Sequence, residues 1–224
     1  WQDMINGGSK YNNITVTAPL ITSIRVKDNH YKWFAREDEK GRRQYYTELE
    51  EMVRHLYNVV SIAMWVPFNE GWGQFDAGRA VQRILKLDKT RTIDHASGWH
   101  DQKIGEIKSL HVYFKKYRFK PDKLKRAVVL SEFGGYSLRV DGHIFSEKEF
   151  GYKRFETAEA LLKAYQNLFE NEIIPAEKRG LCASVYTELT DVEDELNGLI
   201  SYDRKVIKLP IEKVKEINER VKKR

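Results

Sequence analysis

The chain has 224 residues, 41% of them hydrophobic, and its 39 lysines and arginines outnumber 33 aspartates and glutamates for a formal net charge of +6. That supplies one sizeable core and by default one domain, while the basic residues are scattered rather than gathered with stacking aromatics, so no nucleic-acid partner is expected. The longest apolar stretch, Val59 to Phe68, is too short to span a bilayer, no charged-then-apolar leader pattern is visible, and the lone Cys182 excludes an internal disulfide.

A soluble protein without a membrane partner follows, with the cytoplasm favoured. Trp1 to Met4 reads as the end of a strand that opens further upstream, and the polar stretch from Asn6 to Gln44 reads as a long loop. Within it, Asn13-Ile14-Thr15 fits a glycosylation tripeptide, which carries no meaning without secretion. Tyr46, Leu49, Met52, Val53 and Leu56 recur at helical spacing and lead into a strand over Val59 to Val66. The alternation then repeats: a helix on Ala77, Val81, Ile84 and Leu85, then strands over Arg91 to Ala96, Ser109 to Phe114 and Ala127 to Leu130. A helix follows on Ala158, Leu161, Leu162, Tyr165, Leu168 and Phe169, and a last strand over Leu181 to Tyr186, with Cys182 expected as a core thiol. Pro210 opens a cationic terminal helix on Ile211, Val214, Ile217 and Val221. Near-continuous apolar strands alternating with helices imply a parallel sheet covered by helices. An open doubly wound sheet would be expected to carry a glycine-rich first turn, and none is present. Asp3, Glu70, His95, His111, Glu132 and Tyr186 all fall at or near strand ends, where the chemistry of a barrel sits. The expected fold is therefore α/β, a (β/α)8 TIM barrel of which about six strands are present.

Two carboxyls stand out. Glu70 ends the run Trp65-Val66-Pro67-Phe68-Asn69-Glu70-Gly71-Trp72-Gly73, and Glu132 ends Val128-Val129-Leu130-Ser131-Glu132-Phe133-Gly134-Gly135. An unpaired carboxyl at the mouth of a buried strand is expensive, so something must use it. Retaining hydrolysis of a glycoside needs such a pair about 5 to 5.5 Å apart, one protonated to release the leaving oxygen and the other ionised to trap the sugar carbon. Taken singly, Glu70 could instead answer a helix N-terminus and Glu132 a structural ion pair.

Those two motifs, with Tyr186-Thr187-Glu188-Leu189-Thr190-Asp191-Val192-Glu193, Asn197-Gly198-Leu199 and Tyr202-Asp203-Arg204, resemble in order the catalytic barrel of glycoside hydrolase family 2. The resemblance implies barrel strands three to eight, with an N-terminal β-sandwich, an immunoglobulin-like domain and the first two strands lying before Trp1. An open barrel seam would then expose strand edges or pair with a second copy, a homo-oligomer. It implies a carbohydrate substrate, a β-galactosidase-like double displacement, Glu70 as acid/base and Glu132 as nucleophile. β-Glucuronidase or β-mannosidase activity, or an inactive carbohydrate-binding fragment, are the alternatives. Asn69 would bind the sugar 2-hydroxyl and Tyr113 would hold the nucleophile. Tyr186 stands where relatives place a platform under the sugar. His111, His95 and Asp3 are candidate sugar contacts, each with a structural alternative, and Trp99 would stack on a ring or close a loop. No cofactor is required; some relatives bind magnesium near the acid/base, but no ligand set for it is matched in this sequence.

Overall fold

A computed structural model describes residues 1–5, 7, 11–21 and 25–222. Parts of the expected 6–44 loop and the last two residues of the cationic tail lie outside that set. The chain forms two compact units, residues 1–110 with 122–129, and residues 111–121 with 130–224. The boundary passes through two strands.

In the first unit, β1 (Gln2–Asp3), β2 (Met64–Val66) and β3 (Thr92–Ile93) form a parallel sheet in that order. A bridge from Asn69 to Ser97 carries the β2–β3 register beyond the strands. Only the end of the expected second strand is extended. Its first half is a turn closed by Val59 N–H to the Leu56 carbonyl and Ile62 N–H to the Val59 carbonyl, which leaves Val60 96% exposed. The expected long loop holds α1 (Asn13–Ile21) and the start of α2 (Glu39–Leu56). Periodicity does not reveal the first turns of α2 because they face solvent; Asp38 caps them by accepting from the N–H groups of Lys40 and Gly41. Tyr45, Tyr46, Leu49 and Val53 of α2 pack on Phe68, Phe75 and on Ala77, Ala80 and Ile84, the last three from α3 (Ala77–Leu87). The Tyr45 ring stacks on Phe68 at 5.1 Å and its hydroxyl donates to the Pro67 carbonyl. The residues just before Asn69 and Glu70 are thus anchored in the core.

The second sheet has the order β4-β5-β8, from β4 (Ile107–Val112), β5 (Ala127–Gly134) and β8 (Leu181–Thr187). A parallel ribbon of β6 (Tyr136–Leu138) and β7 (Lys153–Phe155) follows β5. α4 (Ala158–Leu168), a π-helical turn and α5 (Ile174–Glu177) lead into β8, and α6 (Ile211–Lys222) ends the chain. Tyr165 of α4 donates to Asn218 of α6 at 2.9 Å. Cys182 is exposed rather than buried, because the alternation of β8 turns Leu181 inward and its neighbour outward.

The result is a mixed α/β chain with small, partly parallel sheets at six of the expected strand positions. No closed barrel appears among the described residues. No helix among them is long and apolar enough to cross a membrane.

Candidate active-site residues

In the first unit, parallel strands put Asp3, the Asn69-Glu70 pair and the Ser97-Trp99 segment at the same end of the sheet. Glu70 is positioned by its backbone. Its N–H donates to the Ser97 carbonyl at 2.9 Å, the Ser97 N–H donates to the Phe68 carbonyl at 2.8 Å, and Glu70 itself adopts φ +51°. Left-handed backbone at a non-glycine residue is uncommon and concentrates at functional sites. Gly71 continues the turn at φ +70°, and a Cβ there would lie 2.5 Å from the His100 ring. His100 is buried and neutral in sense: burial lowers its pKa, Nδ1 accepts from the Val26 N–H, and Nε2 therefore donates to the Thr15 carbonyl at 2.6 Å. Sequence reasoning missed this histidine; its only signal is its place just after the Trp99 segment.

Trp99 is buried and packs on Trp72 with ring centroids 6.0 Å apart, so it closes the loop. Asp3 is exposed, opposite Val66 in the register. His95 belongs to a buried polar network rather than to an open strand end. Its Nε2 accepts from the Gln102 N–H at 3.0 Å and lies 3.2 Å from Asp101. Asp101 takes both Arg126 nitrogens, at 2.8 and 2.7 Å, and Arg25 at 2.9 Å. Burial alone would raise the Asp101 carboxyl, but the Arg126 hydrogen bonds and the Lys103 N–H more than offset it and hold the group well below the usual range. The structural alternative therefore describes His95 better than a sugar contact does.

In the second unit, Glu132 is positioned by side chains. Tyr113, just past β4, donates its hydroxyl to Glu132 Oε2 and sits 3.2 Å from Thr187 Oγ1 at the end of β8. His111 Nδ1 lies 3.2 Å from the same carboxylate oxygen, with its side chain buried. Burial, then the Glu132 charge, push the Tyr113 phenol far above its ordinary pKa, so it is a permanent donor. The two glycines after Glu132 make room for tyrosines. A Cβ on Gly134, at φ +97°, would lie 2.3 Å from the Tyr186 ring, and one on Gly135 would lie 2.3 Å from Tyr152 and 2.9 Å from Tyr113. Tyr186 itself packs among Phe133, Tyr165 and Phe169 at centroid distances of 5.6, 5.0 and 6.4 Å. Its ring is thus half-buried against aromatic side chains of this unit.

The motif after β8 builds an acidic cluster around the buried Asp191. Asp191 accepts from Lys208 Nζ at 2.7 Å and from the Gly198 N–H at 2.9 Å, and Lys208 also donates to the Leu196 carbonyl. Burial drives both members of the Asp191–Lys208 pair toward their neutral forms despite their attraction. Glu188 is pushed up to about 8, first by burial and then by the charges of Glu195, Asp191 and Glu132, with Lys208 opposing. Nothing in spacing marks Lys208 as the partner of Asp191.

Magnesium prefers several oxygen ligands free of competing cations. Asp101 and Asp122 are already answered by Arg126 and Asp191 by Lys208, so these pairs do not offer that ion free oxygen ligands.

No protein-family model and no curated protein matches the sequence. Solved structures do. A β-glucuronidase from an uncultured Clostridium sp. matches with TM-score 0.56 at 14% identity, over 85% of this chain and 37% of that one. Faecalibacterium prausnitzii β-glucuronidase matches with TM-score 0.50 at 12% identity, over 80% of this chain and 35% of that one. The chain spans little more than a third of either neighbour. At such identity the likeness concerns architecture, and over most of its length this chain has the fold of a part of these glycoside hydrolases.

Proposed function

We propose that the chain carries the catalytic carboxylates of a retaining β-glycosidase of the family 2 type, acting on terminal β-linked sugars with β-galactosidase-like preference. The observation that carries this reading is Glu132, at the end of an apolar strand, receiving the Tyr113 hydroxyl beside His111. A phenol that donates to a carboxylate aims it and favours its charged form, as a nucleophile requires.

In the first step a Glu132 oxygen bonds the sugar anomeric carbon while the glycosidic C–O bond breaks, and Glu70 gives its proton to the departing oxygen. In the second, Glu70 takes a proton from water, the water oxygen bonds the anomeric carbon, and the bond to Glu132 breaks. Asn69 is assigned to the sugar 2-hydroxyl, where a hydrogen bond strengthens as oxocarbenium character develops. Asp3 is kept as an outer contact because it lies at the same sheet end as Glu70.

The test is hydrolysis of chromogenic β-galactosides by the intact protein. Glu132→Gln should abolish turnover, and azide should restore it in Glu132→Gly with inverted product. Glu70→Gln should lower kcat roughly 10²- to 10⁴-fold, least for leaving groups that need no proton. Full activity in either Gln variant overturns the assignment. The structural neighbours are β-glucuronidases, so a chromogenic β-glucuronide is the second substrate; preference for it would move the specificity while leaving the carboxylate roles intact. Sugar binding without turnover of any glycoside would favour an inactive carbohydrate-binding chain.

A further inference from the structure

We propose that a cavity of the second unit, apolar inside and edged by lysines, binds a small aromatic carboxylate, an inference that goes beyond the glycosidase reading and does not depend on it. The cavity measures about 180 Å³, and every residue lining it falls within residues 111–121 or 130–224. Its apolar lining comes from Phe133 of β5, Tyr136 of β6, Leu168 at the end of α4 and Ile173 in the π-helical turn that follows. Phe133, Leu168 and Ile173 are buried, so they make a floor rather than a patch of surface.

Size sets the scale of the occupant. An apolar cavity of about 150 Å³ holds a benzene ring, so this one has room for a single six-membered ring and one substituent. Phe133, Leu168 and Ile173 have no hydrogen bond to give, and sugar hydroxyls buried against them would be left unpaired at a cost in free energy. An aromatic ring has no hydroxyls to strand. The floor therefore favours an aromatic ring over a pyranose.

Charge sets the substituent. Lys115, Lys116 and Lys153 line the same cavity, and none of them has an ion-pair partner among the described residues. Lys153 Nζ is held over two rings, 5.6 Å from the centroid of Tyr136 and 5.3 Å from that of Phe155. Glu172 is the one acidic lining residue, and its Oε2 already accepts the Tyr117 N–H at 2.6 Å. Tyr117 also lines the cavity; its buried hydroxyl has no hydrogen-bond partner among the described residues, and burial pushes the phenol up to about 12, so it remains a donor. Three ammonium groups and an unspent hydroxyl, against one engaged carboxylate, select an anion. A carboxylate on an aromatic ring answers both halves of the site, the ring on the apolar floor and the oxygens among the donors.

The experiment is a ligand-observed NMR titration of the intact protein with benzoate, with benzamide as its neutral isostere and acetate as an anion without a ring. Benzoate should bind at least tenfold more tightly than either, and its affinity should fall as sodium chloride is raised. The variant K115Q/K116Q/K153Q should lose roughly tenfold in benzoate affinity while its benzamide affinity stays the same. These lysines are exposed and hold no ion pair, so the fold should persist, and an unchanged circular dichroism spectrum checks it. Tyr117→Phe should weaken benzoate a few-fold with the ring left in place. No benzoate binding at millimolar concentration overturns the site, as does benzamide binding equally well or an unchanged benzoate affinity in the lysine variant. Acetate binding as tightly as benzoate would mean surface charge alone and overturns it too. None of these readouts involves glycoside turnover, so failure here and failure of the glycosidase reading are separate outcomes.

Discussion

The backbone at the two candidate carboxyls differs. Glu70 owes its position to main chain: a left-handed φ, a backbone hydrogen bond to Ser97 and a following glycine pressed against His100. Glu132 sits in ordinary strand backbone and owes its position to Tyr113 and His111. That division leaves the main chain to set where Glu70 leaves the backbone and the Tyr113 and His111 side chains to aim Glu132, as the proposed acid/base and nucleophile roles ask of each group.

The comparison breaks first if the frame under either residue is removed. Arg126→Met leaves Asp101 and Asp122 without their shared cation in a site where the Asp101 and Arg126 side chains are almost wholly buried. Removing one partner of a buried ion pair costs about 3–5 kcal/mol, and the remaining Arg25 contact places the expectation near the lower figure. Urea denaturation measures it, and hydrogen exchange should show the loss in the first unit. Gly71→Ala tests the backbone directly. An alanine at φ +70°, with its Cβ 2.5 Å from the His100 ring, should cost roughly 2–4 kcal/mol through left-handed strain and overpacking. Glu70-dependent turnover should fall with it, and a variant of parental stability would mean that the turn carries no constraint.

What periodicity could read, and what it could not, follows the same division. The buried parts of β2 and β5, which lead to Glu70 and Glu132, were legible because buried β-segments are continuous apolar runs, and a charge that interrupts or follows one is visible. The run that begins at Val59 misleads because its first residues are a solvent-facing turn. β6 and β7 are three-residue strands, too short to show alternation. Resemblance pointed to Tyr113 beside Glu132, and the contact is present. Spacing could not separate His111, which meets the carboxylate, from His95, which joins Asp101, because both are histidines near strand ends. Tyr186 is a sugar contact only by resemblance, and its ring packs against Phe133 and Tyr165. Long-range partners such as Lys208 for Asp191 leave no local trace.

Tyr113→Phe sharpens the nucleophile side of the comparison. It removes one hydrogen bond to a charged group while keeping the ring stacked on Tyr152, so stability should change little. Such a bond contributes about 1.5–3 kcal/mol, which predicts a roughly 10- to 100-fold fall in kcat. An unaltered kcat would mean that Glu132 does not depend on its side-chain neighbours.

The smallest effect separates charge from position. Glu188 is pushed from its ordinary 4.5 up to about 8, chiefly by burial. Between those values the folded chain keeps a proton that the unfolded chain has released, so the native state binds more protons and stability falls as pH rises. Glu188→Gln has no proton to lose. Below about pH 4.5 the variant and parent should therefore match, and toward pH 8 the variant should become the more stable. The carboxyl keeps part of its hydration, so the gain should be about 1 kcal/mol, the low end for a buried polar group without a partner. Melting temperatures of the two proteins across pH 4 to 9 read it. Parallel curves would mean that Glu188 ionises freely in the folded state, and that the acidic cluster beside Glu132 is solvated.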